Sequence, residues 1–132
     1  MDYKEGLDEV RDIIARVRSL NERIPILVEG EKDVAALRRL GVTGMILTVH
    51  AGRPLVDVCD RIAATHDEVI VLTDWDKKGG RLSRAIEKNL SGRTRCITEF
   101  RGQLAKNSMV KDIEGLPSYL DSMQQKIDGN ER

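Results

Sequence analysis

The sequence predicts an α/β protein: one domain with a four-stranded, mostly parallel sheet, helices on both faces, and an added helix at each end. Two observations carry this. Short apolar runs alternate with stretches whose apolar residues recur at helical spacing, the pattern of repeated strand–helix units joined by right-handed crossovers. The length, 132 residues, suits one domain with a real hydrophobic core and no need of disulfides or a structural metal. With aromatics at 3%, that core has to be built from Leu, Ile, Val and Ala.

The elements follow in order. Leu7, Val10, Ile13, Ile14, Val17 and Leu20 give an amphipathic first helix. Ile24 to Val28, which holds Pro25, reads as the first strand. Glu31 to Leu40 is a helix with Val34, Leu37 and Leu40 inward, and Gly41 is its C-cap. Met45 to Val49 is the second strand. Pro54 suits the first turn of a helix whose inner face is Leu55, Val58, Cys59 and Ile62. Glu68 to Thr73 is the third strand. Gly79 to Leu90 is a helix ended by Gly92, with Leu82, Ala85, Ile86 and Leu90 inward. Arg95 to Phe100 is the fourth strand. Arg101 to Lys111 is polar without periodicity and reads as a surface loop or a mobile lid. A last helix carries Leu116, Tyr119, Leu120, Met123 and Ile127, with Pro117 in its first turn, and Asp128 to Arg132 should fray. The expected organisation is an N-terminal helix over 1–22, a central domain over 23–112, and a C-terminal helix and tail over 113–132.

Charge narrows the function classes. Lys and Arg balance Asp and Glu, so no global basic bias draws the chain to nucleic acid. A local one is present, because Lys77, Lys78, Arg81 and Arg84 cluster beside an acidic strand end; the same cluster also reads as a solvated helix face. Cys59 and Cys96 lie far apart in apolar patterns, as buried small hydrophobes do. No apolar run approaches the ~18 residues of a membrane span, and the N-terminus is charged, so a cytoplasmic protein is expected.

The chemistry sits in two motifs. The first apolar run ends in Glu29-Gly30, and the third in Asp74-Trp75-Asp76-Lys77-Lys78-Gly79-Gly80. The carboxyl ends of parallel strands open onto the crevice where ligands bind. Alternate residues of an extended segment point the same way, so Asp74 and Asp76 are expected on one side and Trp75 on the other. Gly30 is expected to permit a tight turn, and Gly79 with Gly80 to relax the backbone before the helix. If strands one and three are neighbours, three carboxylates meet, repel, and raise one another's pKa. A hard divalent cation, Mg²⁺ or Mn²⁺, relieves that conflict. Acids and glycines after strands are also ordinary cap and turn chemistry. It is the pair of motifs, in this order, that is specific. No Cys/His cluster has zinc spacing, and neither a P-loop nor a Gly-x-Gly-x-x-Gly fingerprint is present. Haloacid-dehalogenase phosphatases place their Asp-x-Asp after the first core strand, and response-regulator receivers want an acidic pair there, so neither pattern fits.

Glu29-Gly30 and Asp74-x-Asp76, with Glu31-Lys32-Asp33, the small-residue run Val34-Ala35-Ala36-Leu37 and the turn His50-Ala51-Gly52, resemble the Toprim domain of primases, topoisomerases, OLD-family nucleases and ribonuclease M5-like proteins. The resemblance spans roughly Ile24 to Phe100, with an extension to Asp112, and is nearest to small stand-alone, archaeal-type members. It implies a Rossmann-like Toprim fold and Mg²⁺-dependent chemistry on nucleic-acid phosphodiesters, as a nuclease or in nucleotidyl transfer. A metal-binding module with little activity of its own, serving a nucleic-acid-processing complex, is the alternative. By the resemblance, Asp74 and Asp76 hold one or two Mg²⁺ ions, and Glu29 is a ligand or a general acid/base. His50, Arg53, Lys77, Lys78 and Arg81 are candidate phosphate or nucleic-acid contacts. Asp112, after Lys111, reads as an outer metal contact or, more simply, as a cap of the last helix. RNA or DNA is the expected partner, with no membrane, and the two terminal helices offer surfaces for a homodimer or a protein complex.

Overall fold

The structure is a computed structural model, and it describes residues 3–50 and 52–130. The described residues form six helices and four strands, which alternate up to the consecutive α5 and α6: α1 (Tyr3–Asn21), β1 (Ile26–Val28), α2 (Glu31–Arg39), β2 (Ile46–Thr48), α3 (Leu55–Thr65), β3 (Glu68–Val71), α4 (Lys77–Leu90), β4 (Arg95–Ile97), α5 (Glu99–Asn107) and α6 (Leu116–Asn130). All strand pairings are parallel, in the order β2-β1-β3-β4.

The strands bury both faces, and their alternation divides the core in two. Ile26, Val28, Ile70 and Leu72 point to one side, where Leu7, Val10, Ile13 and Val17 of α1 meet Leu37 of α2, Phe100 and Leu104 of α5, and Tyr119 and Met123 of α6. Leu27, Val69 and Val71 point to the other, against Val58, Cys59 and Ile62 of α3 and Ile86 and Leu90 of α4. Ile13, Ile70, Ile86 and Leu90 are among the fully buried side chains, each worth about 1.5–3 kcal/mol of transfer free energy. The result is a three-layer sandwich with α1 packed on α5 and α6. Both cysteines are free thiols.

Several expectations change. The fourth strand stops at Ile97. Thr98 is the N-cap of α5, so Glu99 and Phe100 belong to a helix, and the polar stretch from Arg101 is helical to Asn107. Phe100 and Leu104, four apart, supply the buried stripe that anchors α5, too short a pattern to stand out among polar neighbours. The segment after it is pinned to the Asp-x-Asp loop: the Trp75 amide donates to the Lys111 carbonyl at 3.0 Å, and Trp75 Nε1 to the Val110 carbonyl. That is neither a lid nor a plain loop. Helix α4 begins two residues early, at Lys77, so Gly79 and Gly80 lie in its first turn. Pro54 precedes α3 as its N-cap residue. Gly41 and Gly92 do end their helices, with φ of 88° and 78°. Helix α6 runs through Asp128 to Asn130; the expected fraying of Glu131 and Arg132, and Ala51 of the turn motif, lie outside the described residues.

Candidate metal centre

The strand order places β1 beside β3, and the connections leave them in opposite directions, toward β2 and toward β4. The carboxyl ends of these two strands therefore flank the topological switch point, where α/β sheets open a ligand crevice. Glu29 follows β1 there, and Asp74 follows β3.

The two acids touch. Glu29 is buried, and its Oε2 accepts the backbone N–H of Asp74 at 2.8 Å. Its Oε1 lies 3.9 Å from Nε2 of His50, whose side chain is 58% exposed at the rim. Asp74 Oδ1 is buried and has no hydrogen-bond partner among the described residues. Burial, then the charges of Glu29, Asp33, Asp112 and Asp76, push its pKa up to about 7.

Asp76 behaves differently. It is exposed, and its Oδ1 accepts the Gly79 N–H at 2.7 Å as the N-cap of α4. Of the two carboxylates expected side by side, Asp74 is the more buried, and Asp76 spends one oxygen on the helix cap while its charge still acts on Asp74. Among the described residues, no three His, Cys, Asp or Glu side chains stand together as a preformed metal cage. Of the three carboxylates expected to converge, Glu29 is hydrogen-bonded to the Asp74 backbone, and the charges of both Glu29 and Asp76 act on the Asp74 carboxyl.

The loop geometry explains the glycines. A Cβ on Gly79 would sit 1.7 Å from the Asp74 carbonyl oxygen, so the close approach of α4 to the loop, not a special φ, demands glycine. Thr73, fully buried, ties the same turn by donating Oγ1–H to the Gly79 carbonyl at 2.8 Å. Gly30 is extended at φ −153°, so the tight turn expected there is not what it supplies.

Two residues escaped sequence reading as site members. Asp33 is buried, accepts the Gly30 N–H at 3.1 Å, and has its pKa raised by burial and then by Glu29, Glu114 and Asp112. Its spacing, three residues after Gly30 at a helix start, was a legible capping signal. Arg101 of α5 donates Nε–H to the Asp74 carbonyl at 2.9 Å and an Nη2–H to the Asp76 carbonyl at 3.1 Å. No sequence signal linked it to a loop 27 residues away.

The remaining candidates divide. Lys77 and Arg81 line a pocket beside Asp76, whereas Lys78 is exposed outside that lining. Arg53 lies in a groove of about 540 Å³ along the β2 edge, which contains none of Glu29, Asp74 or Asp76. His66 lines the same groove and closes α3 as its C-cap. Asp112 accepts the Gly115 N–H at 2.9 Å, capping the turn that leads into α6, while its charge still reaches Asp74.

An α/β protein with paired acids at its switch point, after the first and third strands, is the class that fold and site define. The family model described as the Toprim domain matches residues 24–110, and the chain belongs to this family. Among its relatives, the UPF0292 protein MJ1624 of Methanocaldococcus jannaschii is 33% identical over 125 residues, covering 92% of this chain and 97% of that one. The UPF0292 protein PH1700 of Pyrococcus horikoshii is 38% identical over 115 residues, covering 86% and 83%. A solved structure of a protein from Aquifex aeolicus is similar with a TM-score of 0.68 and 26% identity, covering 78% of this chain and 94% of that one. Toprim membership ties the chain to metal-binding, nucleic-acid-related function. No helix of the described residues is long and apolar enough to cross a membrane.

Proposed function

We propose that this protein is a Mg²⁺-dependent enzyme acting on nucleic-acid phosphodiesters, by cleavage or nucleotidyl transfer, with Mn²⁺ able to substitute. The observation that carries the reading is Asp74 Oδ1: a buried carboxylate oxygen without a partner among the described residues, in a pocket of like charge, beside Glu29. Such an arrangement is costly by itself and becomes favourable once a cation binds.

The donors fit a hard ion. Among the described residues, no hydrogen bond engages Glu29 Oε1 or Asp74 Oδ1, and Asp76 keeps Oδ2 outside its cap contact. Mg²⁺ usually takes one or two carboxylates, retains several waters, and completes its shell with substrate phosphate, so a preformed cage of three side chains is not required. Glu29, Asp74 and Asp76 would hold the ion, which would supply charge neutralisation at the phosphate. Glu29 Oε1, open toward His50, is the atom suited to hold or move a proton. In this reading residues 23–112 form the working unit, flanked by the helices of 1–22 and 113–132, in a cytoplasmic protein.

A second reading, a metal-binding module of low intrinsic activity in a larger assembly, is favoured by the committed cap role of Asp76. One experiment separates them. The purified protein is incubated with Mg²⁺ or Mn²⁺ and structured RNA, single-stranded DNA or duplex DNA, beside an Asp74→Asn/Asp76→Asn variant. Cleavage or extension that disappears in the variant supports the enzyme. Metal binding without turnover of any substrate supports the module, and no metal binding at all overturns both.

A further inference from the structure

Next to the acidic loop lies a pocket of about 410 Å³ whose charge has the opposite sign. Lys77, Arg81 and Arg84 enter it from α4, at helical spacings of four and three that put them on one face. Arg101 enters from α5. Among the described residues, no carboxylate lies within ion-pair distance of these four cations, whereas Arg93 and Arg95 each have one, on Asp60 and Glu68. Asp76 is the acid in the lining, and its Oδ1 is held by the Gly79 N–H. Gly80 forms part of the wall: a Cβ there would stand 3.2 Å from Nη2 of Arg101 and 3.5 Å from Nη1 of Arg84, so the bare backbone keeps space between the two guanidiniums. Trp75 flanks the pocket, with its indole N–H tied to Val110.

Four cations gathered against one carboxylate, in a chain of zero net charge, are built for an anion. We propose that this pocket is a phosphodiester-binding subsite for a single-stranded oligonucleotide, with Arg84 and Arg101 as its principal contacts. The proposal rests on the nucleic-acid reading of the acidic centre and adds to it where the strand lies: along the N-terminal half of α4, one phosphate seated between the helices. Arginine suits the task, since its planar fork meets phosphate oxygens in pairs. Arg101 has a second duty. The guanidinium that would meet the phosphate also holds the carbonyls of Asp74 and Asp76, so an anion in the pocket and the carboxylates share one positioning residue.

The test needs no metal. Fluorescence anisotropy of a labelled single-stranded 12-mer is measured in EDTA at low salt, for wild type, Arg84→Gln, Arg101→Gln, and Arg39→Gln on α2 as a control outside the pocket. Thermal melts check that each variant folds, and Arg84→Gln remains decisive if Arg101→Gln does not. The expected result is weaker binding by about tenfold in Arg84→Gln, with the slope of log affinity against log salt reduced by ~0.7, the share of one phosphate contact on a single strand. Arg39→Gln should bind as wild type does. Unchanged affinity in Arg84→Gln, or no binding by wild type, overturns the subsite. If inorganic phosphate binds through Arg84 and the 12-mer does not, the strand assignment is overturned in favour of a free phosphate. Because every arm is metal-free, these failures leave the metal reading to stand or fall on the Asp74→Asn/Asp76→Asn assay.

Discussion

The Glu29 carboxylate holds the backbone N–H of Asp74 at 2.8 Å, across 45 residues of sequence, and so staples the end of β1 to the end of β3. The same contact sets two acids against each other in a half-buried place. Structure and repulsion there have one source, and the substitutions at this pair separate them.

Glu29→Gln keeps an amide oxygen to accept the Asp74 N–H and removes one charge. The metal-free variant should melt at a higher temperature than wild type, because the repulsion on Asp74 is relieved while the hydrogen bond survives. Mg²⁺ affinity should fall at least tenfold. Glu29→Ala should instead lower stability by about 1–3 kcal/mol, through the unsatisfied N–H. Melting curves in EDTA with calorimetric Mg²⁺ titration check both; a Gln variant less stable than the Ala variant would contradict the account.

The raised Asp74 pKa makes a pH prediction with a definite sign. Unfolded, the carboxyl titrates near its ordinary value of 3.8; folded, near 7. Between those values the folded state binds the extra proton, so this group's contribution to stability declines as pH rises through that window and is level above it. Asp33, also raised, acts in the same direction. In EDTA, the difference in melting temperature between Asp74→Asn and wild type should grow from pH 5 to pH 8, in favour of the variant. A difference that shrinks over this range would refute the assignment.

A cation should reverse that trend. Mg²⁺ displaces the proton, so binding at pH 7 should release protons, visible as a dependence of the calorimetric heat on buffer ionisation enthalpy. Melting temperature should climb with metal concentration. Trp75, the sole tryptophan, lies between Asp74 and Asp76, and its emission should report the titration. Asp74→Asn should lose all three signals.

Gly79→Ala, in the first turn of α4, should be the most damaging alanine substitution at this strand–helix junction. Its Cβ would meet the Asp74 carbonyl oxygen at 1.7 Å, which backbone must move to relieve. A loss of about 3 kcal/mol is expected, at the upper end for overpacking. Gly102→Ala, exposed on α5 with nothing near its Cβ, should stabilise by ~0.5–1 kcal/mol. Chemical denaturation of the two variants tests the contrast, and equal effects would sink it.

Much of this architecture was legible in the chain. The apolar runs of β1 and β3, the helical spacing in α1, α3 and α4, and the glycines at 41 and 92 are local signals, and each element stands within a few residues of its reading. What failed locally was α5, whose buried pair Phe100 and Leu104 is a two-residue stripe that no period can establish. The early start of α4 was hidden because an N-capping Asp76 and a metal-facing Asp76 look alike in sequence.

The residue order by itself determined that acids end the first and third strands and that the sheet is parallel, because periodicity and turn chemistry act over a few neighbouring residues. Only the tertiary structure decided which of those acids meet. Adjacency of β1 and β3 brought Glu29 to Asp74 and left Asp76 on its helix, and packing of α5 carried Arg101 to their carbonyls. Charges and hydrogen bonds act through space, and a contact 45 residues long is created by the fold that closes it.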